Sequence, residues 1–138
     1  MKKLNTILLI DDDKATNFMH KLIIGKENCT ENIVSIENGE DALTYLQTKV
    51  DGKYPNPELI FLDINMPGMN GWEFLEKFKE INQSTQKSKV VVMLTTSTDP
   101  FDRKKAETIN QVSDFKSKPL SSELIQEILK TNFPDMFS

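Results

Sequence analysis

Leu59-Ile60-Phe61-Leu62-Asp63 is four consecutive apolar residues closed by a carboxylate. A run of that length without polar alternation reads as a strand buried on both faces, the pattern of a parallel sheet covered by helices, and its lack of any polar break marks it as central. The same design recurs around it. Ile7-Leu8-Leu9-Ile10 runs into Asp11-Asp12, Val90-Val91-Val92-Met93-Leu94 into Thr95, and Phe115-Lys116-Ser117 into Lys118-Pro119. In an open α/β sheet the residues just past the carboxyl ends of the strands line the ligand crevice. Three carboxylates, a hydroxyl and an ammonium are therefore expected to converge on one site.

Between these runs the apolar spacing changes from strand-like to helical. The first strand, Thr6 to Ile10, is followed by a helix from about Lys14 to Lys26 that carries Phe18, Met19, Leu22 and Ile23 at helical spacing. A strand from Asn32 to Ile36 meets Asn38-Gly39 as a turn, and a helix from Glu40 to Lys49 turns Ala42, Leu43 and Leu46 inward. After the turn-rich Val50 to Pro57 comes the strand from Glu58 to Leu62. Trp72 to Asn82 then reads as a helix with Phe74, Leu75 and Phe78 on one face. A strand from Lys89 to Leu94 precedes a polar helix running to about Asn110, with Thr98 or Asp99 as N-cap and Pro100 in the first turn. Val112 to Lys116 is the fifth strand. Ser121-Ser122-Glu123 opens the last helix, with Leu124, Ile125, Ile128 and Leu129 as its buried stripe. Five alternating βα units imply a doubly wound parallel sheet with helices on both faces, because right-handed crossovers allow little else.

A length of 138 residues suits one domain, with a core from about 5 to 131, a short tail over 132–138 and no room for an output domain. With 17 basic and 21 acidic residues the net charge of −4 leaves no electrostatic footprint for nucleic acid or an anionic membrane. The single cysteine, Cys29, cannot form an internal disulfide, and the opening Met1-Lys2-Lys3-Leu4-Asn5 lacks the apolar stretch of a signal peptide. No apolar run approaches the roughly 20 residues a bilayer span needs. A cytoplasmic location is the expectation.

Taken alone, one aspartate of Asp11-Asp12-Asp13 would merely cap the helix at Lys14, with the others solvated near its positive end. Asp63 demands more, since a carboxylate at the end of so apolar a strand needs partners. If Asp11, Asp12 and Asp63 lie within about 5 Å of one another, each pair repels by roughly 3 kcal/mol at an effective dielectric near 20. A divalent cation relieves that repulsion. All-oxygen ligation through few protein groups suits Mg²⁺, and the chain offers no Cys/His cluster for zinc. Thr95 and Lys118 add a hydroxyl donor and a fixed positive charge suited to phosphoryl oxygens. Together the set describes phosphoryl transfer onto a carboxylate, with an acyl phosphate as product.

Ile7-Leu8-Leu9-Ile10-Asp11-Asp12, Leu62-Asp63-Ile64-Asn65-Met66-Pro67-Gly68-Met69-Asn70-Gly71, Leu94-Thr95, Phe115 and Lys118-Pro119 closely resemble, as an ordered set from about Asn5 to Thr131, the receiver domain of bacterial two-component response regulators. The resemblance implies a flavodoxin-like (βα)5 fold, a five-stranded parallel sheet of order 2-1-3-4-5. It implies that Asp63 is the phosphoacceptor and that Asp12, Asp63 and the backbone carbonyl of Asn65 ligate Mg²⁺, with Asp11 holding the metal through water. Lys118 would bind a phosphoryl oxygen, Thr95 would swing toward another, and Lys118-Pro119 matches the family's cis peptide. Phe115 matches an aromatic switch that turns inward as the threonine moves, altering the face of the fourth helix, fifth strand and fifth helix. A tyrosine often stands there; Phe115 has no hydroxyl and must signal by packing. Asn65 and Ser97 would flank the line of water attack and set the phosphoryl lifetime.

The implied function is a stand-alone signalling switch. A histidine kinase or histidine phosphotransfer protein would phosphorylate it, and it would act through contact with a downstream protein rather than by turnover of an external substrate. A phosphate-independent interaction module on the same scaffold is the alternative, although the acidic, Thr and Lys set would then serve no purpose. A phosphohydrolase of the haloacid dehalogenase type wants a second aspartate two residues after the nucleophile, where this chain has Asn65. Asp11-Asp12-Asp13 would repel a flavin phosphate. Of the remaining residues, His20 is expected to be solvated or partly packed, because a phosphotransfer histidine belongs on a helical bundle, and Trp72 is expected to pack. The loop from Val50 to Pro57 is a candidate contact for a partner or for a second copy in a homodimer. Phe133, Met136 and Phe137 in the tail would dock on their own domain or a neighbour.

Overall fold

Strands that are apolar on both faces must be covered on both, and the order of elements achieves this by placing the first and last helices on one side of the sheet and the three between them on the other. The computed structural model describes residues 3–85, 90–96, 99–109 and 112–137. Its elements are β1 (Leu4–Ile10), α1 (Lys14–Glu27), β2 (Thr30–Ile36), α2 (Gly39–Gln47), β3 (Leu59–Asp63), α3 (Gly71–Thr85), β4 (Val90–Thr95), α4 (Pro100–Glu107), β5 (Val112–Ser117) and α5 (Ser122–Asn132). All pairings are parallel and the order is β2-β1-β3-β4-β5, as expected. Every residue of β3 is buried, as its central position requires.

The period-2 alternation of the strands divides the core in two. Leu8, Ile10, Ile60, Leu62, Val91 and Met93 meet Ala42, Leu46, Phe74 and Phe78 of α2 and α3. Ile7, Leu9, Leu59, Phe61, Val92 and Leu94 meet Ile24 of α1 and Ile125, Ile128 and Leu129 of α5. Phe74 and Phe78, one turn apart, stack with centroids 5.7 Å apart. The tail closes the second layer: Phe133, Met136 and Phe137 pack against it, and Met136 and Phe137 both donate backbone N–H to the Phe133 carbonyl at 3.0 Å. Its docking partner is thus its own domain.

Two local expectations need correction. His20, expected to be solvated or partly packed, is buried with Asn17 and Ile24 on the face that α1 turns to the sheet; of the apolar residues at helical spacing, Phe18, Met19 and Leu22 are 64%, 52% and 52% exposed and Ile23 is partly buried against the core. The helix phase is set at its start, where Asp13 caps Ala15 and Asn17 bonds the Asp11 carbonyl, and that phase carries the apolar stripe outward. Asn38-Gly39 is likewise not a free turn. Asn38 is the N-cap of α2, its side chain accepting from Asp41 N at 2.7 Å, and Gly39 is the first helical residue. The other caps follow the sequence, with Asp99 opening α4 and Ser121 opening α5. Lys89, Thr98 and Asn110 lie outside the described residues. In the 50–57 loop, Val50 and Lys53 pair through two backbone bonds across Asp51 and Gly52, both at positive φ, leaving Val50 and Tyr54 exposed.

Candidate functional site

The strand register aligns the chemistry. Ile10 lies opposite Leu62, Asp63 opposite Leu94 and Thr95 opposite Ser117, so Asp11, Asp63, Thr95 and Lys118 emerge at one edge of the sheet. Asp11, Asp63 and Thr95 are buried there, while Asp12 is exposed at the mouth. One ligand oxygen from each of Asp11, Asp12 and Asp63 lies within 4.8 Å of the others. Lys118 Nζ bridges two of them, at 2.6 Å from Asp11 Oδ2 and 3.1 Å from Asp63 Oδ1.

Backbone bonds, mostly to neighbouring strands, fix the segments that carry these side chains. The Asp11 N–H donates to the Ile36 carbonyl at 3.1 Å, and Asp11 Oδ1 accepts from Asp13 N at 3.0 Å. The Lys118 N–H donates to the Thr95 carbonyl at 2.9 Å, coupling the ends of β4 and β5, and the Lys118-Pro119 peptide is cis. Beyond Asp63 the chain turns through Gly68 at φ +75, a conformation that favours glycine. It returns to give a Gly71 N–H bond to the Ile64 carbonyl at 2.8 Å. A Cβ on Gly71 would lie 2.6 Å from the Asp63 carbonyl oxygen, so only glycine allows α3 to begin against the phosphoacceptor candidate.

Burial, and then the Asp11 charge, push the Asp63 carboxyl up to about 6 against the pull of Lys118. Burial alone would lower the Lys118 ammonium, but its hydrogen bond to Asp11 and the charges of Asp11 and Asp63 raise it above the ordinary lysine value. With all three carboxylates ionised, charges of −3 and +1 leave −2. A hard divalent cation carries the compensating charge, and the purely oxygen donor set fits one. Asp11, Asp12 and Asp63 are the side chains that would hold it.

Comparisons with known proteins identify the family. The family model described as response regulator receiver domain matches residues 7–130. This chain is a receiver domain. It is 29% identical over 128 residues to the protein PilG of Pseudomonas aeruginosa, covering 93% of this chain and 87% of that one. A solved two component response regulator from Cytophaga hutchinsonii superposes with TM-score 0.85 at 35% identity, covering 94% of this chain and 97% of that one. The phosphorylated cyanobacterial phytochrome response regulator RcpA superposes with TM-score 0.74 at 26% identity, over 92% of each chain.

Of the receiver's other expected site residues, Asn65 is exposed two residues beyond Asp63, and Ser97 lies outside the described residues. Phe115 stands opposite Met93 on β5 and is already buried in this structure, with the Arg103 guanidinium of α4 5.1 Å from its ring centroid. Trp72 packs partly buried under Lys105 Nζ, 4.8 Å from its centroid. Asn17, which the sequence did not single out, and His20, expected to be solvated or partly packed, reach from α1 into the backbone beside the site. Their only signal was two polar residues and Ile24 at i, i+3 and i+7, a pattern outweighed by the larger apolar stripe. Among the described residues no helix is long and apolar enough to cross a membrane.

Proposed function

We propose that this receiver takes a phosphoryl group onto Asp63 from the phosphohistidine of a histidine kinase or a histidine phosphotransfer protein, with Mg²⁺, and that the acyl phosphate alters its binding to a downstream protein. Receiver domains are signalling switches rather than turnover enzymes. The observation that carries the proposal is the buried Asp63 carboxylate, with Lys118 Nζ at 3.1 Å and two further carboxylates within 4.8 Å.

In the reaction an Asp63 oxygen attacks phosphorus, the P–N bond to the donor imidazole breaks, and its electron pair returns to the ring nitrogen. A mixed anhydride results, later cleaved by water to inorganic phosphate. Mg²⁺ held by Asp12, Asp63 and the Asn65 carbonyl, with Asp11 acting through water, would neutralise charge on the phosphoryl oxygens. Lys118 supplies the fixed positive charge that receives one of those oxygens, and Thr95 a hydroxyl for another. Asn65 and Ser97 are the positions assigned to control of water attack. The outward signal runs from Thr95 at the end of β4 to Phe115 on neighbouring β5 and to Arg103 of α4 above its ring. The exposed Phe18, Met19 and Leu22 of α1 offer the donor an apolar seat about one and a half to two and a half turns from Asp13.

Intact-protein mass after incubation with acetyl phosphate and Mg²⁺ tests the proposal. One base-labile phosphoryl adduct is expected, absent from Asp63→Asn and from a sample in EDTA. No adduct on folded protein that binds Mg²⁺ would turn the reading to a phosphate-independent interaction module. Steady phosphate release without Asp63 would make the protein a hydrolase.

A further inference from the structure

The inward face of α1 carries two polar side chains that the phosphoryl chemistry above leaves unused. Asn17 and His20 are buried to 4% and 2% exposure, where a helix packed on an apolar sheet would ordinarily place hydrocarbon. Each bonds the backbone of a different connection at the site. Asn17 Nδ2 donates to the Asp11 carbonyl, just past β1, at 2.8 Å. His20 Nε2 accepts the N–H of Leu120, just past β5, at 3.4 Å. The two connections so reached are those that carry Asp11 and Lys118, the partners in the 2.6 Å ion pair.

The backbone from Lys118 to Leu120 explains why an acceptor is needed there. Lys118 N–H is held by the Thr95 carbonyl, Pro119 has no N–H, and Leu120 is 2% exposed, so its N–H must find a partner inside the protein. The partner is an imidazole from another element. Burial foremost, reinforced by the Lys118 charge and opposed by Asp11, keeps the His20 pKa below its ordinary value. The ring is neutral at neutral pH, and with Nε2 accepting, its proton sits on Nδ1.

We infer that His20 is a positioning residue for Lys118: by accepting the Leu120 N–H it clamps the β5–α5 connection to α1 and fixes the ammonium between Asp11 and Asp63. The inference rests on the phosphoacceptor reading of Asp63. A lysine held in advance where charge develops accelerates transfer, whereas a loose one must first be ordered.

The test compares the rate of Asp63 phosphorylation by acetyl phosphate and Mg²⁺ in the wild-type chain, His20→Leu, His20→Gln, Lys118→Ala and the His20→Leu, Lys118→Ala double variant. His20→Leu keeps the bulk and removes the acceptor, and a loss of about ten- to a hundredfold is expected, with Mg²⁺ binding unchanged because no ligand is touched. Gln carries an amide oxygen to about the place of Nε2 and should restore the rate to within about threefold. Once Lys118 is gone, His20→Leu should change nothing further. A wild-type rate in His20→Leu, no rescue by Gln, or the same loss repeated in the Lys118→Ala background would overturn the clamp. Should His20→Leu not fold, the wild-type chain decides. The clamp requires an Nδ1–H imidazole in ¹⁵N NMR and a Leu120 amide protected from hydrogen exchange; an Nε2–H ring or a freely exchanging amide rejects it. Absence of any adduct on the wild-type chain would defeat the phosphoacceptor reading itself, while these NMR signals still report on the clamp.

Discussion

Burial and the adjacent Asp11 charge raise the Asp63 carboxyl from 3.8 to about 6, so at neutral pH the fold holds it ionised at a cost. The folded state binds this proton more tightly than the unfolded chain. The corresponding stabilisation is fully present below pH 3.8 and is lost as pH rises through about 6. At 1.36 kcal/mol per pKa unit the loss is on the order of 3 kcal/mol. Asparagine has nearly the same shape and no charge to desolvate, and Lys118 retains Asp11 as its closer partner. In EDTA, Asp63→Asn should therefore melt above the wild-type chain at pH 8, and the gap should close as pH falls from about 6 to about 4. Thermal unfolding by circular dichroism across that range measures it. A wild-type chain that is the more stable of the two at pH 8 would show that Lys118 outweighs burial and that the carboxyl is not raised.

α1 shows where a helix's apolar stripe and its buried face part company. Its exposed Leu22 and buried Ile24 are both aliphatic, yet only the second meets the sheet. Ile24→Ala should cost about 2–5 kcal/mol through the cavity it leaves, whereas Leu22→Gln should stay within about 0.5 kcal/mol. Urea unfolding of both variants separates them, and equal losses would mean that the helix sits in the phase its hydrophobicity suggests. That divergence has a physical source. Periodicity reports which residues share a face but not which face is buried, and here the choice is made by the Asp13 cap and the Asn17 bond to Asp11, both local polar contacts. Strands carry no such ambiguity when both faces are apolar, which is why β1, β3 and β4 and the residues closing them, Asp11, Asp63 and Thr95, were legible from sequence. Lys118 was legible from its place just past the fifth strand, although β5 itself is not apolar on both faces. Asn17 and His20 were not, because a buried polar side chain is recognisable only once its backbone partner is known.

The whole sheet concentrates charge that the rest of the chain does not balance. A molecule of net charge −4 over 138 residues brings three carboxylates and one ammonium to the same strand edge, from β1, β3 and β5. That juxtaposition exists only in the folded state, since Asp11, Asp63 and Lys118 are 52 and 55 positions apart along the chain. A divalent cation that fits the cluster must then bind the folded protein in strong preference to the unfolded one, and its binding energy becomes folding energy. At a Mg²⁺ concentration about 100 times the Kd the gain is about 2.7 kcal/mol, or an increase in Tm of about 8 °C for a domain of this size. The increase should be absent in Asp12→Asn, which removes the exposed carboxylate at the mouth. It should also be absent with NaCl at matched ionic strength, because screening alone supplies no directed charge. It should fade as pH falls through about 6, where the Asp63 proton competes with the metal. Calorimetry with and without Mg²⁺ at pH 5 and pH 8 reads all of this at once. A shift that NaCl reproduces, or that survives Asp12→Asn undiminished, would place the cation elsewhere on an acidic surface and leave the repulsion among the three carboxylates to Lys118 alone.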